Sequence, residues 1–186
     1  MHLRFVTSNP QKLNEATSIL STHGITVMPV CLKIDELQTT DMKKLVHDKV
    51  LQAFERFRRP LFVEHTGLFI GAAGDLPGGL TQIFWDSLDP DRFSRLFGAL
   101  GKPTKAVIKC AVAYCDGKKI FDFESDVPGQ ITESPRGLEG FNWDCVFQPD
   151  GETLTYAEMR ARKNDISMRH AVLCEFAKHV AAEDLA

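Results

Sequence analysis

Short apolar runs alternate with amphipathic segments over the first third of the chain, and this order restricts the fold more than any other feature. Extended runs are predicted at residues 3–7, 25–31 and 61–64. Helical spacing of apolar residues predicts one helix at 12–22 and a second from a cap at Thr40 or Asp41 to Phe57. This β-α-β-α-β order favours parallel strands whose faces are covered by helices.

The second half of the chain adds strands that are adjacent in sequence. Residues 106–114 and 119–125 are predicted strands, and Asp116-Gly117 between them is typical of a hairpin turn. Glycine and proline predict loops at 71–79 and 129–140, the latter with one more strand at its start. Further helices are predicted at about 91–100 and 168–180. We therefore expect a single α/β domain over residues 1–186, with a mixed sheet.

Charge and cysteine content argue against several classes of protein. The net charge of −3 disfavours a nucleic-acid backbone as the main partner, because such a partner usually requires a basic surface. No apolar run reaches the ~20 residues of a membrane span, and the N-terminus shows no signal peptide. Five cysteines without a CxxC pair are typical of free thiols in a reducing compartment. We predict a cytoplasmic protein that binds neither nucleic acid nor membrane.

Thr7, Ser8 and Asn9 connect the first predicted strand to the first helix, and Lys12 follows on that helix. Backbone N–H groups at a helix N-terminus bind anions, and these side chains add donors. An ordinary helix cap explains the same residues without a ligand. This motif taken alone leaves both interpretations open.

Glu36 precedes the second predicted helix, and Lys49 lies on it. A carboxylate suits Mg²⁺, which prefers oxygen ligands, and a lysine suits a phosphate. The alternatives are a solvated loop acid and a surface lysine.

Two motifs near the C-terminus suit a heterocyclic ligand. Phe141 and Trp143 precede Asp144, so aromatic faces that stack on a base adjoin a carboxylate that accepts from ring N–H groups. A core aromatic turn is the alternative. Lys163 and Arg169, at the start of the last predicted helix, suit a polyphosphate or a purine edge, or form a charged cap.

In order and spacing, these motifs resemble the inosine triphosphate pyrophosphatase (ITPase) family, which splits deaminated purine nucleoside triphosphates into monophosphate and pyrophosphate. The resemblance covers nearly the whole chain and is clearest from Phe141 to Gly151, continuing to Asn164. It implies an α/β fold with an elongated mixed sheet flanked by helices. It also implies two lobes with a central ligand cleft and, commonly, a homodimer.

The resemblance further implies a role for individual residues. Phosphate contacts are assigned to Thr7, Ser8, Asn9, Lys12, Lys49 and Thr66. Base contacts are assigned to Phe141, Asn142, Trp143, Asp144, Lys163, Met168 and Arg169. Glu36 corresponds to the metal-holding acid of the family, so Mg²⁺ is the implied cofactor.

The chain departs from the family at His65, which stands where the family has the aspartate proposed to activate water. Glu64 and His65 are therefore the candidate catalytic residues. A neutral imidazole accepts a proton, but nearby phosphate charge favours the imidazolium, which does not. Loss of a positioned base removes roughly 10²–10⁴ in rate. Met168 also replaces the histidine of the family's Ser-His-Arg motif.

Two functions follow from this departure. The favoured hypothesis is a protein that binds ITP, dITP or a similar nucleotide with little turnover and signals to a partner. A separate NAD-consuming effector in antiphage defence would be one such partner. The alternative is an active Mg²⁺-dependent pyrophosphatase in which Glu64 or His65 activates water. A structural subunit with an empty pocket is the third interpretation.

Overall fold

The computed structural model describes residues 1–100, 103–137 and 142–183. It begins with β1 (His2–Val6), α1 (Pro10–Ser21), β2 (Thr26–Val30), α2 (Met42–Phe57) and β3 (Leu61–Ile70). A 3-10 turn at Gly71–Ala73 precedes β4 (Leu76–Gly78), α3 (Thr81–Ser87), α4 (Pro90–Phe97), β5 (Thr104–Cys115) and β6 (Ile120–Ile131). The last elements are a 3-10 turn (Asn142–Cys145), β7 (Phe147–Pro149), α5 (Tyr156–Met159), a 3-10 turn (Arg160–Arg162), α6 (Lys163–Ile166) and α7 (Met168–Glu183).

In the part of the chain that the structure describes, seven strands form one mixed sheet in the order β2-β1-β3-β5-β6-β7, with β4 paired to β3. β1 is parallel to β2 and to β3, and Phe5 lies opposite Phe62 in the second pair. β4 is antiparallel to β3, and β7 is antiparallel to β6. Parallel neighbours need a crossover connection, which α1 and α2 supply. The predicted α/β fold with a mixed sheet flanked by helices is confirmed.

Side-chain caps set the start of the first two helices. Asn9 Oδ1 accepts two backbone N–H bonds of α1, at 3.0 and 3.1 Å, and Pro10 occupies the first helical position. α1 therefore begins two residues before the predicted start at Lys12. Asp41, one of the two predicted caps, accepts the N–H of Lys44 at 3.1 Å and begins α2.

The predicted end of the third strand at residue 64 is wrong, because β3 continues to Ile70. Leu68 pairs with Gly78 of β4, and its N–H donates to Thr81 Oγ1 at 2.8 Å. All residues from 61 to 68 are buried. Pairing and burial thus keep a polar stretch extended, and His65 lies in the middle of a strand.

Other differences concern short elements. The predicted loop at 71–79 contains a 3-10 turn and β4, and α3 follows it without having been predicted. The strand expected at the start of the 129–140 loop is the end of β6, and residues 138–140 lie outside the described ranges. Lys163 does not begin the last helix, because α6 ends at an extended Ser167 and α7 starts at Met168.

The chain divides into two compact units. The first unit comprises Met1–His65, Cys110–Ser125 and Arg169–Ala186, and the second unit comprises Thr66–Lys109 and Asp126–Met168. In the first unit, the Phe62 ring centroid lies 4.5 Å from that of Phe5 and 5.0 Å from that of Phe176. In the second unit, the ring centroid of Phe93 lies 5.4 Å from that of Trp85. Each unit therefore has aromatic packing of its own. Within the described ranges, no helix combines the length and apolarity needed to cross a membrane.

Candidate functional site

A group of buried charges surrounds Glu64 in the first unit. Arg169 Nε and Nη2 donate to the two carboxylate oxygens of Glu64 at 3.3 and 3.5 Å, and Nη1 pairs with Glu15 of α1. The side chains of Arg169 and Glu64 are 2% and 1% exposed. Removing a charge from water costs several kcal/mol, by order of magnitude, unless a counter-charge compensates it. The pairing explains why a guanidinium can occupy the interior.

Lys12 and Cys110 complete the surroundings of Glu64. Lys12 Nζ lies 3.4 Å from Glu64 Oε1, and Cys110 Sγ donates to the same oxygen at 3.4 Å. Burial acts to raise the pKa of Glu64, but the charges of Arg169 and Lys12 outweigh it and lower this pKa to about 2. Glu64 is therefore ionised at neutral pH and is a weak proton acceptor.

Glu36, Lys49 and His65 form a second charged group in the same unit. Glu36 Oε1 is ion-paired with Lys49 Nζ, and His65 Nδ1 lies 3.8 Å from that oxygen. The His65 ring contributes most to holding the pKa of Glu36 well below its ordinary value; burial opposes the lowering and Lys49 adds to it. The Glu36 side chain is 35% exposed, against 6% for His65. Glu36 thus remains both ionised and accessible.

The loop after β1 is organised by Asn9. Its side chain caps α1, and its own N–H donates to Thr7 Oγ1 at 3.1 Å, while Ser8 is exposed. The helix-cap interpretation therefore describes Asn9 in this structure. Phosphate binding by the loop stays a prediction, and Lys12, on the first turn of α1, connects this loop to Glu64.

Asp144 and Lys163 form a buried ion pair in the second unit. Lys163 Nζ donates to Asp144 Oδ2 at 2.7 Å, and the two side chains are 7% and 4% exposed. Trp143, which precedes Asp144, is 2% exposed. The structure thus brings together two motifs that the sequence assigned to the base. In such a dry environment, hydrogen bonds and charges act more strongly than in water.

The other residues predicted to contact the phosphates or the base do not form one group. Met168 is buried in the second unit, whereas Arg169 belongs to the first unit and is engaged by Glu64 and Glu15. Thr66 is buried in β3, next to His65. Phe141 lies outside the described residues, as does the side chain of Asn142. Ligand contacts by these residues stay predictions.

Residues 3–179, and with them all these charged groups, match the model of the Ham1 family. The chain belongs to the Ham1 family.

Named relatives of this Ham1 chain are nucleotide pyrophosphatases. A dITP/XTP pyrophosphatase of Methanopyrus kandleri is 34% identical over 180 residues, which cover 96% of this chain and 95% of that protein. Inosine triphosphate pyrophosphatase 2 of Trypanosoma cruzi is 34% identical over 177 residues, covering 94% and 89%. The resemblance noted in the motifs is confirmed by these relatives.

Solved structures of Ham1 proteins share the fold. The Staphylococcus aureus Ham1 protein superposes with a TM-score of 0.82 at 19% identity, covering 98% of this chain and 100% of the other. A HAM1 protein of Coxiella burnetii superposes with a TM-score of 0.81 at 21% identity, covering 98% of this chain and 99% of the other. At these identities the likeness establishes the fold alone.

Three residues of this Ham1 chain adjoin the predicted site residues without having been predicted: Glu15, Cys110 and Tyr156. Glu15 lies three positions after Lys12 on α1, so the two side chains share one face of the helix. This spacing is the sequence signal that could have identified Glu15. Cys110 and Tyr156 are buried, and their residue types do not distinguish them from ordinary core residues.

Among the described residues, few oxygen donors are available for the predicted Mg²⁺ site. In the ranges that the structure describes, no three histidine, cysteine, aspartate or glutamate side chains form a metal cluster. Mg²⁺ usually needs only one or two carboxylates because substrate phosphates and water complete its shell. The accessible, ionised Glu36 fits such a shared site. Magnesium binding itself stays a prediction.

Proposed function

We propose that this chain binds deaminated purine nucleoside triphosphates and hydrolyses them to the monophosphate and pyrophosphate. The observation that carries the proposal is the convergence in the first unit of Lys12, Lys49, Glu36, Glu64 and His65, which come from α1, α2, β3 and the segment before α2. The names of the relatives support hydrolysis better than binding alone.

Two lysines of the first unit are candidates for binding a polyphosphate. Three cationic residues (Lys12, Lys49 and Arg169) face three acidic residues (Glu15, Glu36 and Glu64). The Lys12 and Lys49 side chains are each 13% exposed, whereas that of Arg169 is 2% exposed. The two lysines are therefore the cations that phosphate oxygens can reach. Arg169 instead pairs with Glu64.

His65 and Glu36 suit the activation of water. A carboxylate near Nδ1 favours the tautomer in which Nδ1 carries the proton, so Nε2 keeps the lone pair that accepts a proton from water. Glu64 is a poorer candidate because its pKa of about 2 makes it a weak base. Bound Mg²⁺ would supply charge neutralisation of the phosphates, and Glu36 is the residue that would hold it.

Asp144 and Lys163 are the groups proposed to bind the base. The Lys163 ammonium donates to an oxo group and the Asp144 carboxylate accepts from a ring N–H, which together complement a deaminated purine. Trp143, which precedes Asp144, is the residue that the aromatic motif assigns to stacking. Adenine presents the opposite pattern of donor and acceptor at its six-membered edge, so it fits this pair less well.

The test is pyrophosphate release from dITP and Mg²⁺ by the purified chain, with ATP as the comparison nucleotide. We expect multiple turnovers that His65→Ala lowers by roughly 10²–10⁴, the contribution of a positioned base. Lys105→Ala, which removes an exposed pair with Asp150, is the control and should retain the rate. Absence of turnover with dITP would refute hydrolysis.

A second candidate function rests on His65 itself. If the ring is imidazolium when phosphates are bound, it cannot accept the proton, and the chain would bind its nucleotide and pass occupancy to a partner effector such as an NAD-consuming enzyme. His65→Asp separates the two functions, because it should raise turnover at least tenfold in a binding protein and little in an active enzyme. The homodimer belongs to the same set of untested predictions and is checked by light scattering.

A further inference from the structure

The hydroxyl of Tyr156 is buried without a hydrogen-bond partner among the described residues. The residue is 1% exposed, and its ring lies 5.3 Å from that of Phe147, centroid to centroid. Buried polar atoms are nearly always paired, and each exception in a native protein calls for an explanation. Phenylalanine would fill this position with the same ring and no unpaired group.

Tyr156 adjoins the charged pair of the second unit. Lys163 Nζ lies 5.8 Å from the centre of the Tyr156 ring, and the same Nζ donates to Asp144 Oδ2 at 2.7 Å. The ring that carries the unpaired hydroxyl therefore lies next to Lys163, a member of the pair proposed to bind the base. Local rules are commonly broken at functional sites, where the missing partner is supplied by the ligand.

We propose that Tyr156 is a specificity-determining residue whose hydroxyl donates a hydrogen bond to the oxo group of a bound purine, next to Asp144 and Lys163. The inference rests on the proposed function and adds a residue to its base-binding group.

The protonation of Tyr156 agrees with a donor role. Burial raises the pKa of its hydroxyl, and the charge of Asp144 raises it further. The group thus keeps its proton throughout the physiological range. A hydroxyl and an ammonium that both donate to one oxo group would favour hypoxanthine and xanthine over adenine, which carries an amino group instead.

The test pairs Tyr156→Phe with a ligand that lacks the oxo group. Affinity is measured by calorimetry for the α,β-imido analogues of ITP and of purine riboside triphosphate, neither of which is cleaved at the reacting bond. We expect Tyr156→Phe to weaken ITP-analogue binding about 3- to 10-fold, the range of one neutral hydrogen bond, and to leave the second analogue unchanged. The free protein should melt at the same temperature as wild type or about 2–4 °C higher, because an unpaired hydroxyl is removed.

Tyr114→Phe is the matched control, since Tyr114 is the other tyrosine of the chain and lies in the first unit. It should leave both affinities unchanged. Equal losses for the two analogues, or no loss for either, would overturn the role of Tyr156 while leaving the proposed function intact. Failure of wild type to bind the ITP analogue would instead refute the proposed function.

Discussion

Replacing Arg169 by methionine would leave the buried Glu64 and the partly buried Glu15 without the guanidinium that both contact, with Lys12 as the remaining cation beside Glu64. Removing one member of a buried ion pair costs about 3–5 kcal/mol because a charge is left uncompensated. The lowered pKa of Glu64 leads to a similar free-energy cost. The interval between its ordinary value of 4.5 and about 2 corresponds to about 3 kcal/mol of stabilisation of the charged form.

The pH dependence of the Arg169→Met effect follows from the direction of that shift. A carboxyl whose pKa is lowered by folding stabilises the protein fully above its unfolded-state pKa, near 4.5, and loses this contribution as the pH falls towards about 2. The stability difference between wild type and Arg169→Met should therefore be largest at neutral pH. It should shrink between pH 5 and pH 3.

Urea denaturation at pH 7, 5 and 3 measures this difference, with the slope of each transition checked for constancy. Arg92→Met is the matched control, because Arg92 pairs with Asp89 on the surface, where the side chains are 68% and 53% exposed. It should cost less than about 1 kcal/mol. Adding Glu64→Gln to Arg169→Met should recover part of the loss, since the uncompensated charge is removed. A loss below about 1 kcal/mol for Arg169→Met at pH 7, or an equal loss at pH 3, would refute the reasoning.

Three further predictions test other parts of the structure. Lys163→Met leaves Asp144 buried without its cation and should lower stability by about 3–5 kcal/mol, measured by urea denaturation, with recovery on adding Asp144→Asn. Lys49→Met removes one accessible cation, so the KM for dITP should rise about tenfold in steady-state assays while the melting temperature changes little. Gly129→Ala would place a methyl 2.4 Å from Gln148 O and 2.5 Å from Phe147 Cζ. We expect the free energy of unfolding, measured by calorimetry, to fall by about 1–3 kcal/mol. An unchanged melting temperature would contradict that close approach.

Much of the fold follows from local patterns. The apolar spacing along α1 and α2 and the Asp116-Gly117 turn predict these helices and the β5-β6 hairpin, although β6 ends at Ile131 and not at residue 125. The prediction failed at β3, because His65, Thr66 and Gly67 follow the predicted strand at 61–64 and are typical of a turn, whereas the strand continues to Ile70. The pairing of Leu68–Ile70 with β4, which sequence periodicity does not contain, keeps that segment extended.

The candidate site was predictable as a set of residue types and not as a set of contacts. The motifs named five of the charged residues as candidates: Lys12, Glu36, Lys49, Asp144 and Lys163. In the structure the first three belong to ion pairs of the first unit, and the last two form the ion pair of the second unit. The partner of Arg169 was not predictable, since Glu64 and Glu15 lie 105 and 154 positions away in the chain. The orphan hydroxyl of Tyr156 likewise depends on what surrounds it in space.

The sequence by itself determined the fold class and the family, because hydrophobic periodicity and motif spacing are properties of neighbouring residues. Only the tertiary structure decided that the charge of Glu64 is compensated by Arg169 and Lys12. It also decided that His65 lies within strand β3 and beside Glu36. The reason is physical: ionisation and hydrogen bonding depend on distance and burial in three dimensions. These quantities are set when segments far apart in the chain pack against each other.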